Sequence, residues 1–273
     1  MATFTGAMPA HDTDIAHPYL LENRAVQAGD RFAALSDTFD EWTHRRLLAL
    51  GLSAGWSCWE VGAGGPRVPT WLADQVGADG RVLATDIDIA WMPADAPFEV
   101  CAHDVVSDPV PEGGFDLVHV RLVLTHLPGR AEALRRMASA LRPGGWLVVE
   151  DFDVSNQPRA CPDAATDEEE RANRVRAGFV ELLAARGADL VLGRTLRKRL
   201  AALGLVEVGA EAYAPLAVPA TRALERANTL QVRQGLIGLG LGDDVDRHLE
   251  ALDAGRIEIA TPPLVTAWGR RTG

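Results

Sequence analysis

The chain has 273 residues, 47% of them hydrophobic, and a formal net charge of 27 − 38 = −11. That length and apolar content suit one large domain or a domain with a cap. The acidic balance argues against nucleic acid as a partner, and no apolar run reaches the roughly 18 residues that a membrane span needs.

Residues 1–18 carry no periodicity, and the first ten lack the charged start and apolar stretch of a signal peptide. From Tyr19 to Leu50 the spacing predicts helix, broken near Gly29 and Ser36, with Phe32, Leu35, Phe39, Trp42, Leu47 and Leu50 on its apolar face. Gly51 ends it, as glycine after a last helical turn does. Residues 1–50 therefore read as an N-terminal helical cap before a core over 51–273. The core begins with a strand, Trp56–Val61, that runs into Gly62-Ala63-Gly64-Gly65-Pro66. A helix follows, with Val68, Trp71, Leu72 and Val76 on one face. Glycines at such a turn let the chain fold tightly and let a ligand approach the main chain.

Further strands are predicted at Arg81–Thr85, closing on Asp86, at Phe98–Ala102, closing on His103 and Asp104, and at Phe115–Val120. A helix over Arg130–Leu141 and a turn, Arg142-Pro143-Gly144-Gly145, lead to a fifth strand, Trp146–Phe152. Strand and helix in alternation imply a parallel sheet covered on both faces. Thr166-Asp167-Glu168-Glu169 has the pattern of a capping box opening a helix. Leu196, Leu200 and Leu203 mark a second helix, whose run Arg194 to Arg199 reads as a solvated outer face. A strand over Leu205–Tyr213, helical stretches over 219–235 and 243–254, and a last strand, Leu264–Arg271, complete the chain. Parallel strands carry ligand sites at their carboxyl ends. The segments at about 152–192 and 214–256 are thus expected to roof the site as a lid.

Cys58, Cys101 and Cys161 are far apart, which argues against a disulfide framework or a zinc site and fits a reducing cytoplasm. Cys58 and Cys101 lie in strand-like runs and are expected in the core. One lysine, Lys198, stands against 27 − 1 = 26 arginines, a bias of high-GC bacterial genomes.

Six pieces run in a recognisable order. They are Glu60-Val61-Gly62-Ala63-Gly64, Ala84-Thr85-Asp86-Ile87-Asp88, His103-Asp104-Val105, Phe115-Asp116-Leu117-Val118, Leu122 to Pro128, and Leu141-Arg142-Pro143-Gly144-Gly145-Trp146. Over about residues 55–155 the chain resembles the class I S-adenosylmethionine-dependent methyltransferases, of the small-molecule type found in natural-product and quinone pathways. The resemblance implies a Rossmann-like α/β fold: a seven-stranded, mostly parallel sheet with an antiparallel last strand and a helical lid. It implies S-adenosylmethionine as cofactor. It places Glu60 with Gly62, Ala63 and Gly64 at the methionine end, and the main chain at Val120 and Arg121 beside them. It gives Asp86 the ribose hydroxyls, a task that suits an ionised acid with two acceptor oxygens. It sets Asp104 at the adenine amino group, with Ile87 and Val105 on the ring faces. The chain departs from the family at Pro66, where a third glycine is usual. Proline has no N–H to donate and a φ near about −65°, which suits a first helical position.

Methyl transfer from a sulfonium asks the protein mainly to align the acceptor and exclude water. A base is needed only where the acceptor holds its proton. His126, just after the fourth strand, is the candidate base or orienting group, against a plain packing role. His119, inside that strand, is expected to be buried. Asp151 and Asp153 end the fifth strand. Metal-dependent relatives pair such acids with another after strand four, where this chain has Arg121 and Leu122, so no metal site is expected. Asp151 is a candidate acceptor contact, and Tyr19 a candidate to close over the cofactor. The expected partner is a small, fairly apolar acceptor, methylated on oxygen, nitrogen or carbon, with secondary metabolism as the setting. Other readings are non-methylating use of the bound cofactor for cyclisation or rearrangement, an NAD-type dehydrogenase, and a non-enzymatic ligand-binding protein. The dehydrogenase reading wants a glycine where Arg67 stands. Oligomeric state is left open, a homodimer included.

Overall fold

A computed structural model describes residues 20–21, 27–216 and 218–273. Tyr19 lies outside the described residues. The first helix, α1, spans Gln27–Ala49, and β1, Ser57–Val61, feeds the glycine turn and α2, Arg67–Val76. Then come β2, Arg81–Asp86, β3, Glu99–Ala102, and β4, Phe115–Arg121. A 3-10 turn, Leu124–His126, precedes α3, Arg130–Ala140, and β5, Leu141–Phe152. The second half contains α4, Asp167–Ala185, α5, Leu192–Ala202, and β6, Val206–Tyr213. It ends with α6, Pro219–Gln231, α7, Arg233–Gly238, α8, Gly242–Asp253, and β7, Leu264–Arg270.

The strands form one sheet in the order β3-β2-β1-β4-β5-β7-β6. Neighbours from β3 to β5 pair in parallel, while β7 runs antiparallel to both β5 and β6. The expected architecture is therefore present. The chain order reverses between β1 and β4, and the carboxyl ends of those strands flank the crevice that such a reversal creates.

Alternation along the strands splits the core between the two faces of the sheet. Trp59, Val118 and Leu147 pack with Met137 of α3 and Leu192 and Leu196 of α5. Cys58, Leu117 and Val148 pack on the other face with Leu47 of α1 and Leu72 and Val76 of α2. The remaining helices bury a third layer of their own: Val175 of α4 meets Leu236 of α7 and Val245 of α8. That layer is joined to α1 where Phe39 packs with Leu224 and Leu264. Thr166 caps α4 as expected, its hydroxyl accepting from the Glu169 N–H while Glu169 reaches back to the N–H of Thr166. Among the described residues no helix is long and apolar enough to cross a membrane.

Four local expectations are corrected. Helix α1 is unbroken through Gly29 and Ser36. Ser36 is buried on the packed side, and tertiary contact outweighs its weak propensity. Gly29 serves packing: a Cβ there would lie 2.8 Å from the Trp91 ring. The Arg142–Gly145 turn belongs to β5, which pairs from Leu141 with Phe115 and then shifts register before Leu117, a bulge that absorbs the glycines. Cys101 is exposed, because β3 is the edge strand of the sheet. The stretch 219–235 is two helices, divided at Val232.

Candidate active site

A cavity of about 460 Å³ opens at the carboxyl ends of β1, β2 and β4. The turn after β1 supplies Gly62, Ala63 and Gly64, and the end of β2 supplies Asp86 and Ile87. Asp104 and Val105 enter from beyond β3, Arg121 from β4 and His126 from the 3-10 turn. Nine of the expected residues thus meet in one place. Glu60 and Val120 are absent from the lining.

The turn needs its glycines. Gly62 and Gly64 have φ of 62° and 63°, in the left-handed region that side chains disfavour. A Cβ on Gly62 would sit 2.3 Å from Val123 Cγ2, and one on Gly64 2.7 Å from Phe32 Cε1. The turn is fastened to β2 through Asp86, whose Oδ2 accepts from the Gly64 N–H at 2.9 Å and Oδ1 from the Asp88 N–H at 3.0 Å. Asp86 is only 5% exposed. Burial pushes its carboxyl above the usual range, and those N–H groups oppose the shift. The carboxylate as a whole keeps acceptor capacity for a ligand hydroxyl. Asp104 lines the cavity and also braces its own turn, accepting from the Val106 N–H and the Ser107 hydroxyl, each at 2.8 Å. Ile87 is 56% exposed, an apolar side chain presented to the cavity beside buried Val105.

Glu60 turns into the sheet. It is 3% exposed, with Oε2 2.6 Å from His119 Nδ1. His119 Nε2 lies 3.3 Å from Glu150 Oε2, and Glu150 accepts from Thr43 of α1 and Thr266 of β7. Burial by itself would pull the His119 imidazole down, but Glu60 and Glu150 on either side override it and hold it at about 9. Arg121 extends the network by donating to Asp40 at 2.8 Å and Thr43 at 3.0 Å. Helix α1 is thereby tied to the middle of the sheet directly under the site.

Several lining residues had no motif to announce them: Arg31, Phe32 and Trp91. Phe32 and Trp91 meet edge to face at 6.2 Å and bring α1 against the β2–β3 connection. Trp91 itself, a large ring in that connection, was the available signal for its side of the contact. Leu122 has φ 59°, a strained value for a side chain with a Cβ, and its N–H is held by Glu150 O at 2.8 Å.

A second cavity, about 90 Å³, lies between the end of β5 and helices α4 and α6. It shares Arg31, Leu35, Leu122 and His126 with the first. Burial and the cations Arg31 and Arg130 lower His126 to about 4, so its ring is neutral near pH 7. Asp151 also faces this space; burial raises its carboxyl to about 6 against donation from Thr125. Both its oxygens are engaged, by the Thr125 N–H and hydroxyl and by the Phe152 N–H. Asp153 is held by Arg194 at 2.7 and 2.8 Å.

The chain matches the methyltransferase domain family over residues 31–208. A methyltransferase of Strobilurus tenacellus, str3, is 30% identical over 158 residues, which are 56% of this chain and 50% of that protein. The chain thus spans about half the length of this curated relative. Among solved structures, a protein described as a methyltransferase from an antibiotic biosynthesis pathway of Anabaena variabilis superposes with a TM-score of 0.58 at 18% identity, over 84% of this chain and 96% of that one. A phosphoethanolamine N-methyltransferase of Haemonchus contortus, in complex with S-adenosylhomocysteine, superposes with a TM-score of 0.54 at 14% identity, over 91% of this chain and 58% of that one. At these identities the solved structures speak for the fold alone.

The cavity fits S-adenosylmethionine on its own terms. It offers a turn with no room for a Cβ at Gly62 or Gly64, a buried acid at the end of β2 with acceptor capacity to spare, and apolar side chains at Ile87 and Val105. Family match, sheet topology and cavity agree: the chain belongs to the class I S-adenosylmethionine-dependent methyltransferases.

Proposed function

We propose that the protein transfers a methyl group from S-adenosylmethionine to a small, mainly apolar molecule held in the second cavity. One observation carries this: Arg31, Leu35, Leu122 and His126 line both cavities, so the two spaces meet at a common wall. The cofactor supplies an electrophilic methyl on a sulfonium; the protein aligns the acceptor and keeps water out. Asp86 would take the ribose hydroxyls, Asp104 the adenine amino group between Ile87 and Val105, and the turn Gly62, Ala63 and Gly64 the methionine end. The main chain at Arg121 would join that turn. Glu60 and Val120 would support the methionine end from beneath, Glu60 by fixing His119 and through it Glu150.

A neutral His126 with a conjugate acid near pH 4 is a weak base and a good hydrogen-bonding group. Its proposed role is to orient the acceptor. Helix α1 is the described part of the cap expected over 1–50, and the segments 152–192 and 214–256 act as the lid, since α1, α4 and α6 all contribute to the second cavity. A cytoplasmic setting in bacterial secondary metabolism suits the cysteine usage and the arginine bias.

The test has two halves. Isothermal titration with S-adenosylmethionine should show saturable binding. Incubation with a panel of phenols and quinols should yield products heavier by one methyl group, with S-adenosylhomocysteine released in equal amount. Binding without any methylated product across the panel would overturn the acceptor class, and no binding would overturn the reading whole.

A further inference from the structure

Beyond the wall it shares with the first cavity, the second cavity ends in a polar group of four: Arg176, Glu225, Asn228 and Thr261. The two charges there are matched. Arg176 Nη2 donates to Glu225 Oε2 at 2.5 Å and Nε at 3.2 Å, with both side chains buried. Other polar groups nearby are already engaged. Thr221 donates its hydroxyl toward the carbonyls of Val218 and Ile259, and Asp151 is held by Thr125 and the Phe152 N–H.

Two groups remain. Thr261 is 3% exposed, and its Oγ1 has no hydrogen-bond partner among the described residues. The buried Oδ1 of Asn228, one helical turn after Glu225 on α6, is in the same state. An unmet polar atom in a dry site is destabilising, and a ligand group reaching it would relieve that. Native interiors seldom leave such atoms without a reason.

We propose that Asn228 and Thr261 select the acceptor: an uncharged, mainly apolar molecule bearing a hydroxyl on the side remote from the atom that is methylated. This rests on the methyl-transfer reading and narrows it. The remoteness follows from the lining, because Asn228 and Thr261 line the second cavity only, away from the residues that face both. The hydroxyl follows from the chemistry. The Asn228 carbonyl oxygen needs a donor, the Thr261 hydroxyl gives or takes, and a ligand hydroxyl answers both, whichever way the amide is turned. A methyl or ether substituent brings no donor. A carboxylate or an ammonium group would lose its hydration and find Arg176 and Glu225 already spent on each other.

The experiment titrates four one-ring probes into protein saturated with S-adenosylhomocysteine: 4-methoxyphenol, 4-methylanisole, 4-methoxybenzoate and 4-methoxybenzylamine. 4-Methoxyphenol should bind about tenfold tighter than 4-methylanisole, as one neutral hydrogen bond in a closed site allows, and the charged probes more weakly than either. Thr261→Val and Asn228→Leu should each erode the preference for 4-methoxyphenol and leave 4-methylanisole, which has no hydroxyl, within about twofold of its original affinity. Thr261→Val keeps the side-chain shape and removes a hydroxyl with no partner, so the melting temperature of the ligand-free protein should hold or rise. A lower melting temperature with an intact preference would assign the hydroxyl to the fold and overturn the proposal. Equal affinity for the two neutral probes, no binding of either, or a charged probe binding best would overturn it too. If S-adenosylhomocysteine itself fails to bind, the methyl-transfer reading falls with it. If S-adenosylhomocysteine binds and the two neutral probes bind equally, this proposal falls alone.

Discussion

His119 is a histidine with a carboxylate on each side of its ring and no contact with water, and this decides when it is charged. Its folded value near 9 exceeds the ordinary 6.5, so the proton is bound more tightly in the folded chain. The stabilisation is fully present below pH 6.5 and is lost as pH rises through about 9. Thermal unfolding followed from pH 6 to pH 10 should show this decline, and His119→Gln should flatten it while costing about 3–5 kcal/mol at neutral pH. A decline of the same size in the variant would assign it to other groups. Asp86 is a second case in which burial sets the stakes. Asp86→Ala should weaken S-adenosylmethionine binding by about 1–3 kcal/mol, because the Gly64 N–H and, on the proposed pose, the ribose hydroxyls lose an acceptor in a dry place. Calorimetry reads this directly, and unchanged affinity would remove Asp86 from the ribose site.

At the scale of elements, the glycine turn and the capped helix α4 make separate demands. Gly64 has φ 63° and the Phe32 ring in the way of any Cβ, whereas Gly65 has only Phe32 Cβ, at 3.9 Å. Gly64→Ala should therefore cost about 1–2 kcal/mol in strain alone and lower cofactor affinity further by moving Phe32. Gly65→Ala should do little to either measurement, and equal effects from the two would refute the steric account. Thr166→Ala removes one half of the capping box and should lower stability by about 1 kcal/mol without altering cofactor affinity. Urea unfolding beside a cofactor titration separates those two outcomes.

Across the whole molecule, the outer helices are held to one another and to α1 by small cores and by the buried ion pair of Arg176 with Glu225. Burying two charges is costly, and such a pair is worth most against the loss of one partner. Arg176→Met should destabilise the protein by about 3–5 kcal/mol, because Glu225 stays buried without its main partner. Arg176→Met combined with Glu225→Leu should recover most of that loss. A double variant as unstable as the single one would mean that the packing, rather than the charge, was broken.

Much of this was legible along the chain. Strand and helix periodicity located the elements of the sheet. The glycines before α2, Asp86 at the end of β2 and Asp104 beyond β3 all reach the same cavity. These features are local: a turn that needs positive φ, or an acid at or just past the end of a strand, is written within a few neighbours. Other features come from encounters between distant residues. Glu60 met His119, 59 positions on, and left the cavity lining. Gly29 proved to be room for Trp91 rather than a break in α1, and Cys101 fell on an edge strand. The second cavity needs Leu122, Asp151, Arg176 and Thr261 together, from β4 onward to the start of β7. The sequence by itself determined the sheet and the turn, because period and turn chemistry act over a few residues, and its resemblance to a family of methyltransferases implied the cofactor. Only the tertiary structure decided which polar groups were left without partners, because that depends on which side chains folding brings within about 3 Å of one another.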